Sequence, residues 1–97
     1  MRAPGEAFRA EMTITAAEFA RTLGLFARRA GLPLNRAGEG RWHLGAALVS
    51  VRRMQDLRLG VLRLERLEVN LDLSALAGEE REDFRRSFML SFHRGGG

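Results

Sequence analysis

The first stretch of the chain alternates apolar and polar residues and then changes to a helical spacing. Its apolar residues fall on one side of an extended chain: Phe8, Ala10, Met12 and Ile14. This alternation predicts a half-buried first strand. Thr15 and Glu18 follow at the spacing of a capping box, in which the threonine hydroxyl accepts from an orphan backbone N–H and the glutamate reaches back to the cap residue. A helix is therefore predicted to begin directly after Thr15.

The predicted first helix covers Ala16 to Ala30. Its apolar residues recur at i, i+3, i+4 and i+7 and form one stripe: Ala16, Phe19, Ala20, Leu23, Phe26, Ala27 and Ala30. Gly31 suits the left-handed conformation that ends a helix, and Pro33 prevents its continuation. Gly24 lies inside the helix, where glycine costs about 1 kcal/mol relative to alanine, and indicates a close approach to the sheet.

The middle of the chain predicts three to five further strands. Residues 32–34 read as a short edge piece, and residues 37–40 are a turn by composition. Trp42 and Leu44 share a face, but the alternation changes phase near Ala46, which predicts a bulge or a phase change there.

Two leucine-rich segments follow, and a strongly alternating strand comes last. Residues 57–59 and 62–64 alternate in opposite phases on either side of Gly60, and the connection before them is residues 53–56. From Leu67 to Leu73 the alternation is strict, which is the firmest strand pattern in the chain.

A second helix is predicted from about Gly78 to His93. Its buried stripe consists of phenylalanines at i, i+4 and i+8: Phe84, Phe88 and Phe92. Acidic residues stand near its start and basic residues near its end, an arrangement that complements the helix dipole.

These elements predict an α+β fold of the order β-α-β(3–5)-α. The simplest packing is a two-layer sandwich, with an antiparallel sheet and both helices on one face. One domain is expected over residues 7–94, between a flexible leader, 1–6, and a frayed glycine tail, 95–97. The element order is similar to that of the TATA-binding-protein type and, more loosely, to helix-grip folds. This resemblance covers most of the chain but is one of topology only, so it implies a fold and no function.

Missing residue types exclude several kinds of chemistry. The 97 residues include no cysteine, lysine or tyrosine, and all 16 basic residues are arginine. Thiolate nucleophiles, sulfur-ligated metal sites, Schiff-base enzymes and lysine-containing phosphate loops are therefore excluded. Complete replacement of lysine by arginine is typical of a GC-rich genome, and the alternative is selection of arginine for bidentate contacts with phosphate or carboxylate. The net charge of +4 is mild.

The outward sheet face supplies the candidate binding residues, which are Arg9, Arg41, His43, Arg52, Arg58 and Arg63. Such a row could contact phosphates and give sequence-independent affinity for nucleic acid. However, Glu11, Glu68 and Asp72 dilute it, and Trp42, the aromatic residue nearby, points inward by phase. Single-strand binders normally interleave aromatic residues with cations. The favoured interpretation is that these arginines pair with carboxylates across strands.

The remaining candidates have structural explanations. The two histidines, His43 and His93, have no ligand spacing between them, so no metal or cofactor is expected. Glu79, Glu80, Glu82 and Asp83 could be imagined as a cation or acid–base site, but their place at a helix start explains them. The terminal glycines 95–97 resemble the exposed diglycine tails of ubiquitin-like and sulfur-carrier proteins, whereas a helix stop with frayed residues is the favoured interpretation.

These observations favour a small non-catalytic domain that binds a protein partner, or itself as a homodimer, through the open sheet face. The alternative from another class is an anion or nucleic-acid binding module that uses the arginines. An enzyme with its pocket between helix and sheet would depend on His43 or His93. No apolar stretch is long enough for a membrane span, and the opening residues lack the apolar region of a signal peptide, so we expect a cytoplasmic protein without a membrane partner.

Overall fold

A computed structural model of the chain describes residues 6–95, and it is an α+β fold with two helices and antiparallel strand pairs. The elements are, in chain order, β1 Ala7–Thr13, α1 Ala16–Ala30, β2 Leu34–Gly38, β3 Arg41–Leu44, β4 Ala47–Arg53, β5 Leu57–Leu59, β6 Leu62–Leu64, β7 Arg66–Asp72 and α2 Gly78–Gly95. The predicted first strand, first helix and last strand are thus present within about one residue of their expected bounds.

The strands form two separate sheets. The main sheet has five strands in the order β1-β7-β4-β3-β2, and β5 and β6 form a two-stranded hairpin of their own. Among residues 6–95 six strands therefore follow α1, and the prediction of three to five was wrong. The count was too low because the short leucine-rich segments around Gly60 form an independent hairpin between β4 and β7.

Two turns differ from their predicted positions. The phase change near Ala46 is a two-residue hairpin turn rather than a bulge, because Leu44 pairs with Ala47 and Gly45 takes a positive φ of 57°. The turn expected over residues 37–40 is confined to the last two of them. Ala37 and Gly38 belong instead to edge strand β2, whose register shifts between Arg36 and Gly38.

Helix α1 begins and ends where its sequence signals predict. The Thr15 hydroxyl accepts from the Glu18 backbone N–H at 3.1 Å, and Gly31 ends the helix in the left-handed conformation. The Glu18 carboxylate accepts from the Thr15 hydroxyl at 3.1 Å. This contact replaces the predicted one to the Thr15 backbone.

The apolar stripe of α1 is narrower than predicted. Phe19, Leu23, Phe26 and Ala27 are buried, whereas the alanines at positions 16, 20 and 30 are exposed. Gly24 makes no close approach, because a Cβ atom built on it would meet nothing within 4 Å. The interpretation of Gly24 as a helix–sheet contact was therefore wrong.

Phenylalanine rings from both helices form the centre of the core. The Phe19 ring stacks on Phe92 with centroids 4.8 Å apart and lies 5.8 Å from the Trp42 ring, while Phe26 meets Phe88 edge to face at 5.6 Å. The buried apolar residues form one cluster: Ile14, Phe19, Leu23, Phe26, Ala27, Leu44, Ala47, Val49, Leu67, Val69, Leu71, Leu73, Phe88 and Phe92. Trp42 packs half-buried against this cluster, as its phase predicts.

The predicted leader and tail lie almost wholly outside the described residues. Of the leader only Glu6 is described, and its carbonyl accepts a hydrogen bond from the Leu73 N–H. Of the tail only Gly95 is described, and it belongs to α2, so it does not stop that helix.

The open position at Gly24 gives a stability prediction. Replacing Gly24 by alanine in the middle of α1 should raise the free energy of unfolding by about 1 kcal/mol, because alanine loses less backbone entropy and meets no neighbour. Urea denaturation followed by circular dichroism would measure the change.

Gly40→Ala is the matched control with the opposite sign. Gly40 has a φ of +66°, and an added Cβ would lie 2.9 Å from the Val51 carbonyl oxygen. This variant should lose more than about 1 kcal/mol. A Gly24→Ala protein that is less stable than the wild type would contradict the open space beside α1.

Candidate interaction surface

The side chains that alternate with the core residues of the main sheet form a polar surface, which we call the outward face. Its residues are Ala7, Arg9, Glu11, Thr13, Asn35, Arg41, His43, Leu48, Ser50, Arg52, Arg66, Glu68, Asn70 and Asp72. Because paired residues of neighbouring strands share a face, the strand register aligns these side chains in rows across the sheet.

Two rows cross all five strands. One runs from Arg9 through Asn70, Ser50 and Arg41 to Gly38, and the next joins Ala7, Asp72, Leu48, His43 and Asn35. The first row carries an arginine on β1 and another on β3 with neutral polar side chains between them, whereas the second carries a carboxylate, Asp72, beside the apolar Leu48.

Between these rows the surface is hollow. A depression of about 350 Å³ is lined by Ala7, Phe8, Arg9, Leu48, Ser50, Asn70, Leu71 and Asp72. The depression forms because the side chains of Ala7, Ser50 and Asn70 do not reach as far from the backbone as that of the neighbouring Arg9.

Glu68 is the electrostatic centre of the outward face. It lies on β7 between β1 and β4, and its carboxylate is 3.2 Å from the Arg52 guanidinium and 3.8 Å from that of Arg9. The Glu68 side chain is only 14% exposed, whereas those of Arg9 and Arg52 are 70% and 66% exposed. One carboxylate therefore serves two arginines that reach over it from opposite sides.

Hydrogen bonding favours the ionised form of Glu68. The Asn70 side-chain amide donates to the Glu68 carboxylate at 3.4 Å, and this bond, followed by the one from Arg52, holds the Glu68 pKa below its ordinary value of 4.5.

Another ion pair on the outward face joins Arg66 to Glu11 at 2.6 Å. The predicted cross-strand pairing of arginines with carboxylates therefore occurs on this face.

The six candidate residues do not form one row. Arg9, Arg41, His43 and Arg52 lie on the outward face. Arg58 and Arg63 were expected there too, which was wrong, because they pair with each other across the β5–β6 hairpin outside the main sheet. Sequence alternation assigns a residue to one side of its strand, but it does not say which sheet the strand joins.

The histidines and the acidic segment lie apart from this arrangement. His43 is exposed on β3 and His93 is exposed on α2. Within the described residues no group of three or more potential ligands converges in a way that could hold a metal ion. In the acidic segment, Glu82 pairs with Arg85 one turn later on α2, and hydrogen bonding from that arginine lowers the Glu82 pKa.

Some residues of the depression were missing from the candidate residues. Leu48, Ser50 and Asn70 follow the same alternation as Arg52 and Glu68, so the pattern itself could have identified them. Charged side chains indicate a binding surface in a sequence, whereas these uncharged residues carry no chemical signal of their own.

Comparison with known proteins adds no family to these observations. No known family model matches the chain, and no curated protein matches it in sequence. No helix among the described residues is long and apolar enough to cross a membrane.

The hydrogen bond from Asn70 gives a prediction about protonation. In an Asn70→Ala variant the Glu68 pKa should rise toward its ordinary value, because the largest contribution to the lowered pKa is removed. Carbon-13 NMR titration of the Glu68 carboxyl would measure this. An Arg9→Ala variant should raise the pKa less, because Arg9 contributes least.

The same lowered pKa makes stability depend on pH. A carboxyl whose pKa is lower folded than unfolded stabilises the fold above its unfolded pKa, and that stabilisation is lost as the pH falls through the folded value. On acidification below about pH 4.5, the free energy of unfolding should therefore fall by less in Asn70→Ala than in the wild type. Asn35→Ala, on edge strand β2, is the matched control, and a Glu68 pKa that shifts equally in both variants would refute the assignment.

Proposed function

We propose that this protein is a non-catalytic binding domain whose outward face docks the surface of a protein, either a partner or a second copy of the chain. The observation that carries the proposal is the arrangement of that face, with a depression of about 350 Å³ beside Arg9, an arginine that the Glu68 carboxylate already pairs. The proposal requires that this face be uncovered and that its charge be locally balanced.

For the uncovered face we propose a two-layer sandwich with both helices on the opposite side, in the manner of a TATA-binding-protein type fold. Contacts between the helices support this packing, because Phe19 and Phe26 of α1 meet Phe92 and Phe88 of α2. These rings share one buried cluster with Val49 and the other apolar residues of the sheet. The β5–β6 hairpin is then an insertion between β4 and β7.

The charge balance favours a protein as the docked surface. Glu68 pairs with both Arg9 and Arg52, and Glu11 pairs with Arg66, so the positive charge on these strands is largely neutralised. Protein interfaces combine such mixed charge with apolar contacts, whereas nucleic-acid interfaces are strongly positive. Leu48 supplies an apolar side chain to the lining of the depression.

The alternative is an anion or nucleic-acid binding module that uses the arginines. It would draw on Arg9, Arg41 and Arg52 on the sheet and on Arg58 and Arg63 on the hairpin as separate groups. Such a module would bind DNA or RNA with an affinity that falls steeply as salt rises.

One substitution at the centre of the outward face tests the proposal. Ser50→Arg would fill the depression with a large charged side chain, which blocks close contact. The protein to be followed is the one that co-purifies with the tagged wild-type chain. We expect Ser50→Arg to reduce its binding by at least tenfold. Quantitative pull-down followed by light scattering of the purified complex would measure the loss and identify a partner or a second copy.

Ala20→Arg is the matched control. It adds the same side chain at an exposed position on α1, away from the sheet, so binding should be unchanged. Equal binding by wild type and Ser50→Arg would refute docking on the outward face. Binding of a labelled RNA or DNA duplex that disappears between low and moderate salt would favour the alternative instead.

A further inference from the structure

The β5–β6 hairpin, residues 57–64, presents an apolar tip that the proposed function does not use. We call this hairpin the arm. Its register pairs Leu57 with Leu64 and Leu59 with Leu62, so all four leucines lie on one face. Val61 at the turn is fully exposed, and Leu59 and Leu62 are 55% and 58% exposed.

The arm needs a partner for physical reasons. Few residues in the rest of the described chain approach it, and an isolated two-stranded hairpin is only marginally stable in water. Arg58 and Arg63 stand directly opposite each other on its other face, where like charges are destabilising. Asp56 lies 4.0 Å from Arg63 but also pairs with Arg53, so it offsets only part of this charge. A surface that is apolar at its centre and acidic at its rim would satisfy both features.

Such a surface lies between the helices and the β3–β4 turn, and we call it the end groove. Its volume is about 290 Å³, and its apolar lining includes Phe26, Leu44, Leu76 and Phe84. Two carboxylates, those of Glu80 and Asp83, line the same groove. Asp83 is 77% exposed, which leaves it accessible to a second cation although it lies 3.9 Å from Arg86.

The arm and the end groove lie at opposite ends of the main sheet. The groove adjoins Ala46, just before β4 begins, whereas the arm follows the end of β4 at Arg53. A seven-residue strand separates them, which is about 23 Å. A chain therefore cannot place its own arm in its own groove, but two chains lying antiparallel can do so reciprocally.

We propose that the chain forms a twofold dimer in which the arm of each copy inserts its apolar tip into the end groove of the other. Val61 and the neighbouring leucines bury against the phenylalanines of the groove. Arg58 and Arg63, on the other face of the arm, reach past its edges with their long side chains toward the carboxylates at the rim. A twofold axis makes the two contacts identical and closes the assembly at two copies. This interface does not involve the outward face, so it stands independently of the proposed function.

Sedimentation equilibrium of the full chain over micromolar to submillimolar concentrations tests the dimer. Wild type should associate at least to a dimer, and the Ser50→Arg chain, in which docking on the outward face is blocked, should form a dimer and associate no further. Val61→Asp at the tip and Ala30→Arg in the groove should each weaken dimerisation at least tenfold, because each places a charged side chain in the apolar contact. Both positions are exposed, so the substitutions leave the core intact. Leu90→Asp, at a leucine 54% exposed on α2 but outside arm and groove, is the matched control and should dimerise like wild type.

A mixing experiment separates docking from general loss of structure. Arg58→Glu/Arg63→Glu in the arm and Asp83→Arg in the groove should each abolish dimerisation when present alone. An equimolar mixture of the two variants should form dimers again, because one contact then has reversed charges and the other is wild type. General destabilisation would not be reversed by mixing.

Three results would overturn the proposal. They are a wild-type chain that stays monomeric throughout the concentration range, a Val61→Asp variant that dimerises as well as wild type, and a Ser50→Arg chain whose association continues beyond two copies as the concentration rises. Ser50→Arg on the outward face should leave this dimer unchanged, so failure of the arm contact and failure of docking on the outward face give different results.

Discussion

Packing of the phenylalanine cluster is the interaction on which the rest of the structure depends. Phe19 and Phe26 from α1 interlock with Phe88 and Phe92 from α2, and the cluster continues to the apolar residues of β3, β4 and β7. Aromatic rings bury large areas and gain further from stacked and edge-to-face contacts. A chain this short has one small core, so it depends strongly on these few large side chains.

Burial of one side of each strand determines the character of the other. Because side chains alternate along a strand, each residue committed to the phenylalanine cluster leaves its neighbour facing away. In β7 the neighbours of Leu67 and Val69 are Arg66, Glu68 and Asn70, and these supply much of the charge and hydrogen bonding of the outward face. The proposed docking surface is thus a direct consequence of the core.

The arm is an exception, because neither side of its strands is buried in the core. Leu59 and Leu62 have the same alternation as the core strands, yet they remain more than half exposed. Their hairpin joins no strand of the main sheet, and none of its residues belongs to the buried cluster. Apolar side chains in this position are removed from water only when an external surface covers them, and the proposed surface is the end groove of a second copy.

The sequence by itself determined the local features of this protein. The bond from the Glu18 N–H to the Thr15 hydroxyl, the bounds of α1 and the alternation of β7 depend on neighbours within a few residues, and they are present as predicted. In the phenylalanine stripe of α2, Phe88 and Phe92 are buried and Phe84 is half-buried. Membership of a sheet depends instead on contacts between distant residues, so only the tertiary structure decided that Arg58 and Arg63 leave the outward face. The same is true of Glu68, whose two arginines come from strands far away in the chain. Strand alternation carries information about side, but it carries none about which strand lies alongside.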